Sequence, residues 1–256
     1  VFEAQEETRR GTIHKNQRSM YNMLNKQTIE VLQQVNKMTN SVILKFPETV
    51  AVSEAQDMMI MFNVEELDGD SFEDIGLKNS LGEFLNLVKL FGDERVVEVN
   101  NGVINIAEAD TSSVFITDNI QLMNAEDVKA DHFTKTEEVP TVAEFTLTTQ
   151  DIKKIKSSSG VFKDLTEVIF SSEDDGVFIS LGATNRFNAK SNKFSIKKST
   201  EIKKHFEIKI PVDNFKMLPE ADYTMFVKYN SNRDAYRIFL ISDSLESFKI
   251  LMTVKT

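Results

Sequence analysis

Residues 78–115, KNSLGEFLNLVKLFGDERVVEVNNGVINIAEADTSSVF, decide how the rest of the chain is read. From Ser80 to Phe91 the apolar residues Leu81, Phe84, Leu85, Val88 and Phe91 recur at helical spacing, with Gly82, Asn86 and Lys89 on the far side. The segment is therefore expected to be a helix with one buried face. Arg95–Val99 and Val103–Ile106 flank Asn101-Gly102, a hairpin signal because both central residues of such a turn take positive φ. Ser112–Thr117 reads as one more strand. Nothing in the stretch offers a poised nucleophile or convergent ligands, so function has to be argued from how such units assemble.

Working outward, Asn25–Met38 carries Thr28, Val31, Leu32 and Val35 on one arc and Lys26, Gln33 and Lys37 on the other, which predicts another one-faced helix. Ser41–Phe46, Thr49–Ala55, Met58–Glu66 and Phe72–Lys78 read as strands broken by Pro47 and polar turns. Residues 121–142 are polar and acidic and contain Pro140; they are expected to link two domains, 24–120 and 143–256. Residues 1–23 have no apolar periodicity and are expected to be a flexible tail.

The first order of elements then returns. It comprises strand Glu144–Leu147, helix Thr149–Ser159, strands Glu167–Ser171, Gly176–Leu181, Phe194–Thr200 and His205–Pro211, helix Val212–Leu218, and strands Tyr223–Tyr229, Tyr236–Ser242 and Phe248–Val254. Phe215 stands where Phe84 stood, and Asn230–Asp234 replaces the Asn100–Gly102 turn. A duplicated α+β domain follows.

A chain of 256 residues, 41% hydrophobic with 9 Gly and 4 Pro, is that of a folded protein with one large core or two ordinary ones. It has no cysteine, which excludes disulfides, thiolate metal sites and cysteine nucleophiles and fits a reducing compartment. No apolar run approaches the roughly 20 residues of a membrane span, and the start lacks the basic-then-apolar order of a signal peptide, so a soluble, cytoplasmic protein is expected. His14, His132 and His205 are scattered and make no metal site. Asp68-Gly69-Asp70 lacks the glycine spacing and closing glutamate of a calcium loop, and Ser157–Gly160 lacks the lysine-serine end of a phosphate loop. The sequence therefore names no catalytic residue, metal or cofactor, and no enzyme activity is expected.

Charge placement is more informative. Overall the chain carries 30 Lys+Arg against 40 Asp+Glu, a net charge of -10, which argues against nucleic acid unless the cations share one surface. The four helices hold Lys26, Lys37, Lys89, Lys153, Lys154, Lys156 and Lys216 against only Glu30, Glu83, Asp151 and Asp213. They are the basic part of an acidic protein.

The helix LGEFLNLVKLF, the hairpin Gly102-Val103-Ile104-Asn105-Ile106-Ala107-Glu108 and the strand Ser113-Val114-Phe115, set in the duplicated order, resemble the sliding clamps of T-even-type bacteriophage DNA polymerases. That family has Gly-x-Ile-x-Ile-Ala-Asp at the hairpin, so Glu108 is a conservative departure. The resemblance runs from about Leu24 to the C-terminus. It implies a duplicated DNA-clamp fold of two similar domains, forming a homotrimeric ring with helices lining the inside and β-sheets outside. Duplex DNA then passes through the centre, held topologically and without base readout. The seven helix lysines become the DNA-facing set, and an acidic exterior keeps DNA from binding elsewhere.

The same resemblance implies edge strands that pair between subunits, carrying Ser112, Val114 and Ile116 on one side and Phe194, Ile196 and Lys198 on the other. It implies a pocket for partner peptides near Ile120, Leu122, Met123 and Met252. The implied partners are a DNA polymerase, an ATP-dependent clamp loader and, in that family, late-transcription factors, all in the cytoplasm of an infected bacterial cell; no membrane partner is expected. Two other readings stay open: an acidic scaffold that keeps the fold without encircling DNA, and an enzyme of unrecognised type.

Overall fold

The computed structural model describes residues 26–45, 48–63, 74–92, 95–100, 102–120, 131–162, 164–182, 194–242, 245 and 248–254. The tail 1–23, the Asp68–Asp70 turn, Leu122 and Met123 lie outside them. The first half runs α1 (Lys26–Met38), β1 (Val42–Leu44), β2 (Glu48–Val52), β3 (Met58–Asn63), β4 (Ile75–Leu77), α2 (Leu81–Val88), β5 (Val96–Asn100), β6 (Val103–Glu108) and β7 (Thr111–Ile116). Then come α3 (Asp131–Glu137) and β8 (Thr141–Leu147). The second half repeats the order: α4 (Thr149–Val161), β9 (Glu167–Glu173), β10 (Gly176–Gly182), β11 (Ser195–Lys198), β12 (Glu207–Pro211), α5 (Val212–Met217), β13 (Tyr223–Asn230), β14 (Ala235–Ser242) and β15 (Lys249–Thr253).

The described residues fall into two compact units, within 1–33, 40–49 and 64–125 for one and 34–39, 50–63 and 126–256 for the other. The division is not a single cut in the chain because β3 pairs with β15, Ile60 opposite Ile250 and Met58 opposite Met252. That pairing completes a six-stranded sheet of order β2-β3-β15-β14-β13-β8.

In the first unit, β5, β6 and β7 form an antiparallel sheet turned at Gly102, whose φ of 75° is the positive value the Asn-Gly signal predicts. Helix α2 buries Leu81, Phe84, Leu85 and Val88, as its spacing requires. Phe84 meets Phe115 of β7 edge-on, ring centres 5.4 Å apart. The start of α2 is fixed by side chains on flanking segments: Asn40 Oδ1 accepts from the Gly82 N–H at 2.7 Å, and Asp118 accepts from the Lys78 N–H at 2.7 Å.

In the second unit, β11-β10-β9-β12 form a four-stranded sheet. Gly176, after Asp174-Asp175, lets the chain turn into β10; a Cβ there would stand 2.2 Å from the Lys198 carbonyl. Phe170 of β9 lies between Phe145 of β8 and Phe215 of α5, at 6.4 and 6.3 Å. Helix α4 begins with a capping box in which Thr148 and Asp151 satisfy each other's backbone N–H.

The polar stretch 121–142 contains α3, and strand β8 starts at Thr141, inside that stretch. Helix α3 escapes periodicity because only Phe133 is a large apolar residue there; it is 1% exposed and sits on Met61, Phe239 and Leu251. Truncating the fully buried Phe84 to alanine is expected to cost about 3–5 kcal/mol of unfolding free energy, checked by denaturant titration.

Candidate nucleic-acid interface and open sheet edges

The described helix lysines differ in what they do. Lys37 is exposed near the end of α1 and donates to Gln34 at 2.6 Å. Lys89 caps the C-terminus of α2 and is exposed, and Lys154 is exposed on α4. Lys153 lies 3.5 Å from Glu220, and Lys216 pairs with Asp213 at 3.0 Å. Both contacts are exposed and therefore weak. Lys26 is the first residue of α1.

Lys156 is different. It is half-buried and donates to the Leu218 carbonyl at 2.6 Å, so it ties α4 to the end of α5. Burial pushes its pKa down, Glu220 raises it, and Lys37 presses it lower. The charge of Lys37 therefore reaches Lys156 within the second unit.

Among the strands that end their sheets are β7 and β11. β7 is the outer strand of β5-β6-β7, and β11 is the outer strand of β11-β10-β9-β12. Along β7, Ser112, Val114 and Ile116 share one face, with Val114 62% and Ile116 77% exposed. Ser113 and Phe115 occupy the other face, toward Phe84. On β11, Ile196 and Lys198 are half-buried, Lys197 is exposed, and Phe194 lies half-buried just before the strand. An exposed apolar edge of this kind is the surface that soluble proteins cover or pair.

Behind β11 lies an interaction that sequence reasoning missed. The Lys198 ammonium is paired with Asp151, the carboxylate that also accepts from the Thr148 N–H at 2.9 Å and its hydroxyl at 2.8 Å. One acidic group thus caps α4 and anchors the edge strand. Burial pushes the Asp151 pKa upward, but the hydrogen bonds from Lys198 and from the Thr148 backbone and hydroxyl outweigh it and hold the carboxyl below its ordinary value. Thr148 followed three residues later by Asp151 signalled the cap; nothing in sequence linked it to Lys198, forty-seven residues away.

The peptide-pocket candidates separate. Ile120 is half-buried after β7, whereas Met252 is 1% exposed in β15, within the core. Of the histidines, His132 is exposed on α3, and exposed His205 lies 3.6 Å from Asp174. Among the described residues, no three His, Asp or Glu gather as a metal site, and no helix is long and apolar enough to cross a membrane.

No family model matches the chain, and no curated protein matches it. Solved structures do. Proliferating cellular nuclear antigen (PCNA) from Entamoeba histolytica is similar over 89% of this chain and 94% of its own, at 10% identity and a TM-score of 0.62. A chain in the complex of the C-terminal region of FEN-1 with A. fulgidus PCNA is similar over the same shares, at 12% identity and a TM-score of 0.64. The fold is the mixed helix and strand DNA-clamp fold.

The Lys198–Asp151 pair makes a pH prediction. Because the folded carboxyl titrates below its ordinary value, its contribution is present above the unfolded pKa, about 4, and is lost as pH falls through the depressed folded value. Lys198→Met is expected to lose about 2 kcal/mol at pH 7, and the difference from the unsubstituted chain is expected to shrink on acidification. Urea titrations at pH 7 and below pH 4 check both.

Proposed function

We propose that this chain is a DNA sliding clamp: three copies close into a ring around duplex DNA, helices inward, and tether a polymerase for processive synthesis. One observation carries the reading. The β3–β15 pairing joins a strand of the first half to the last strand of the second. By the repeated element order, β11 corresponds to β3 and β7 to β15, and both are edge strands. The same pairing made between copies, β7 of one to β11 of the next, is a head-to-tail contact that closes into a ring when its rotation allows.

The in-chain pair also supplies the facing. Met252 and Phe115 lie on like faces, opposite Ile238 and Ile104 of the neighbouring strands, and Leu251 and Val114 lie on the other. Leu251 lies opposite Met59. Alternation then places Val114 on the face of Ser195 and Lys197, and Ser113 and Phe115 on the face of Ile196 and Lys198.

DNA is held by weak contacts. Lys26, Lys37, Lys89, Lys153, Lys154 and Lys216 attract phosphate without reading bases, so the ring slides; Lys156 chiefly positions α4 against α5. The T-even phage type rests on the Gly102–Glu108 hairpin. The A. fulgidus complex with a FEN-1 C-terminal region supports partners that dock through terminal peptides. A clamp loader with its own ATPase opens the ring. The site of action is the cytoplasm of an infected bacterial cell, with late transcription as a second use of the ring.

Particle mass in solution is expected near three times 29.1 kDa; a monomer at all concentrations contradicts the ring. Reversing Lys26, Lys37, Lys153 and Lys154 to Glu is expected to reduce retention on nicked circular DNA by at least tenfold while leaving the unfolding transition in place. Unchanged retention contradicts the inner-face assignment. Cutting the circle is expected to release the unsubstituted protein.

A further inference from the structure

Helix α3 lies on the face of the six-stranded sheet that bears Val50, Met59, Met61, Phe226, Phe239, Ile241 and Leu251. Its hold combines one aromatic anchor with three cations, each from a different strand. Phe133 contacts the Phe239 ring at 6.3 Å between centres. Arg237 of β14 donates to the Thr136 hydroxyl at 2.9 Å, and Lys249 of β15 pairs with Glu137 at 2.8 Å. Lys228 of β13 donates to the carbonyls of Glu137 and Val139 at 3.0 and 3.1 Å, closing the helix C-terminus.

The fold does not require this cover. The corresponding face of β7, at the like place in the other half, leaves Val114 and Ile116 exposed. Seven residues also do not seal the sheet, since Val50, Met59, Phe226 and Ile241 stay half-buried around α3. The surface is thus an apolar platform with three cations along it, filled by a short helix bearing one aromatic ring and acidic residues. Such an arrangement is built like a peptide complex in which the ligand is part of the same chain.

We propose that α3 is a built-in competitor: the platform beneath it takes a short acidic helical peptide with one aromatic anchor, presented by another protein, and α3 leaves when that peptide binds. Recognition follows the contacts α3 now makes. An aromatic side chain fills the Met61, Phe239 and Leu251 pocket, a hydroxyl meets Arg237, and a carboxylate meets Lys249. Tethering gives α3 a high effective concentration, so a partner must bind more tightly than α3 or arrive in several copies. This deepens the partner side of the clamp reading, but its test needs no ring and no DNA.

The probe is a labelled synthetic peptide of residues 129–140, KADHFTKTEEVP, titrated into the full chain and followed by fluorescence polarisation. Phe133→Ser in the chain empties the pocket and is expected to bind the peptide at least tenfold more tightly than the unsubstituted chain. Adding Arg237→Glu and Lys249→Glu is expected to abolish that gain. Thr136→Ala with Glu137→Gln, which loosens α3 and spares the platform, is expected to give a smaller gain in the same direction and serves if Phe133→Ser does not fold. Equal affinity for the unsubstituted and loosened chains overturns the proposal, as does absence of peptide binding to a folded Phe133→Ser chain. A duplex oligonucleotide that displaces the peptide from that variant also overturns it, by making the platform a phosphate site.

Discussion

An antiparallel strand with one side of its backbone unpaired presents N–H and C=O groups that need partners, whatever its side chains. The fold is arranged around where it meets that need within the chain and where it leaves it open. The need is met at β3 and β15, which pair residue by residue and draw a hairpin of the first half into the sheet of the second. Among the described residues it stays open at several sheet ends, β7 and β11 among them, the strands that the repeat puts in the like places. In the proposed ring this one pairing is used again between copies.

The contacts behind the edges hold both strands in place. Phe84 of α2 holds the inner face of β7 through Phe115. Asp151 at the start of α4 holds β11 through Lys198. Each edge strand is thus tied to a helix whose lysines belong to the proposed DNA-facing set, Lys89 on one and Lys153 and Lys154 on the other. The lysines themselves are held weakly, through exposed pairs such as Lys153–Glu220 and Lys216–Asp213. Weak holding suits a surface that must trade one phosphate for the next, whereas the half-buried Lys156 has a fixed partner and a structural task.

Where periodicity is strong, the elements were legible in the sequence: α2, the hairpin at Gly102 and the repeated element order follow from apolar spacing and turn chemistry. Helix α3 was not, because a helix buried through a single ring leaves no periodic trace, and its other anchors come from strands ninety or more residues away. The choice of pairing edges rests on the family resemblance alone. The Asp151–Lys198 pair and the three cations beneath α3 are tertiary, set by which strands become neighbours, and spacing along the chain does not encode them. Met252 shows the opposite case: an apolar residue near the end of the chain is equally at home in a pocket or a core, and its 1% exposure puts it in the core.

The most direct test of the account is whether β7 of one copy lies beside β11 of another. The chain contains no cysteine, so Val114→Cys with Lys197→Cys, and in a second variant with Ser195→Cys, introduces the only thiols, and a disulfide forms only if the two Cβ atoms come within about 3.5–4.5 Å. Mild oxidation of the assembled protein is predicted to give, from one of these two same-face pairs, covalent oligomers ending at three copies, resistant to denaturant and released by reductant. The mismatched pair Val114→Cys with Ile196→Cys, on opposite faces, is predicted to give few. Monomers alone from both same-face pairs, or equal cross-linking by the mismatched pair, would contradict the pairing on which the ring depends.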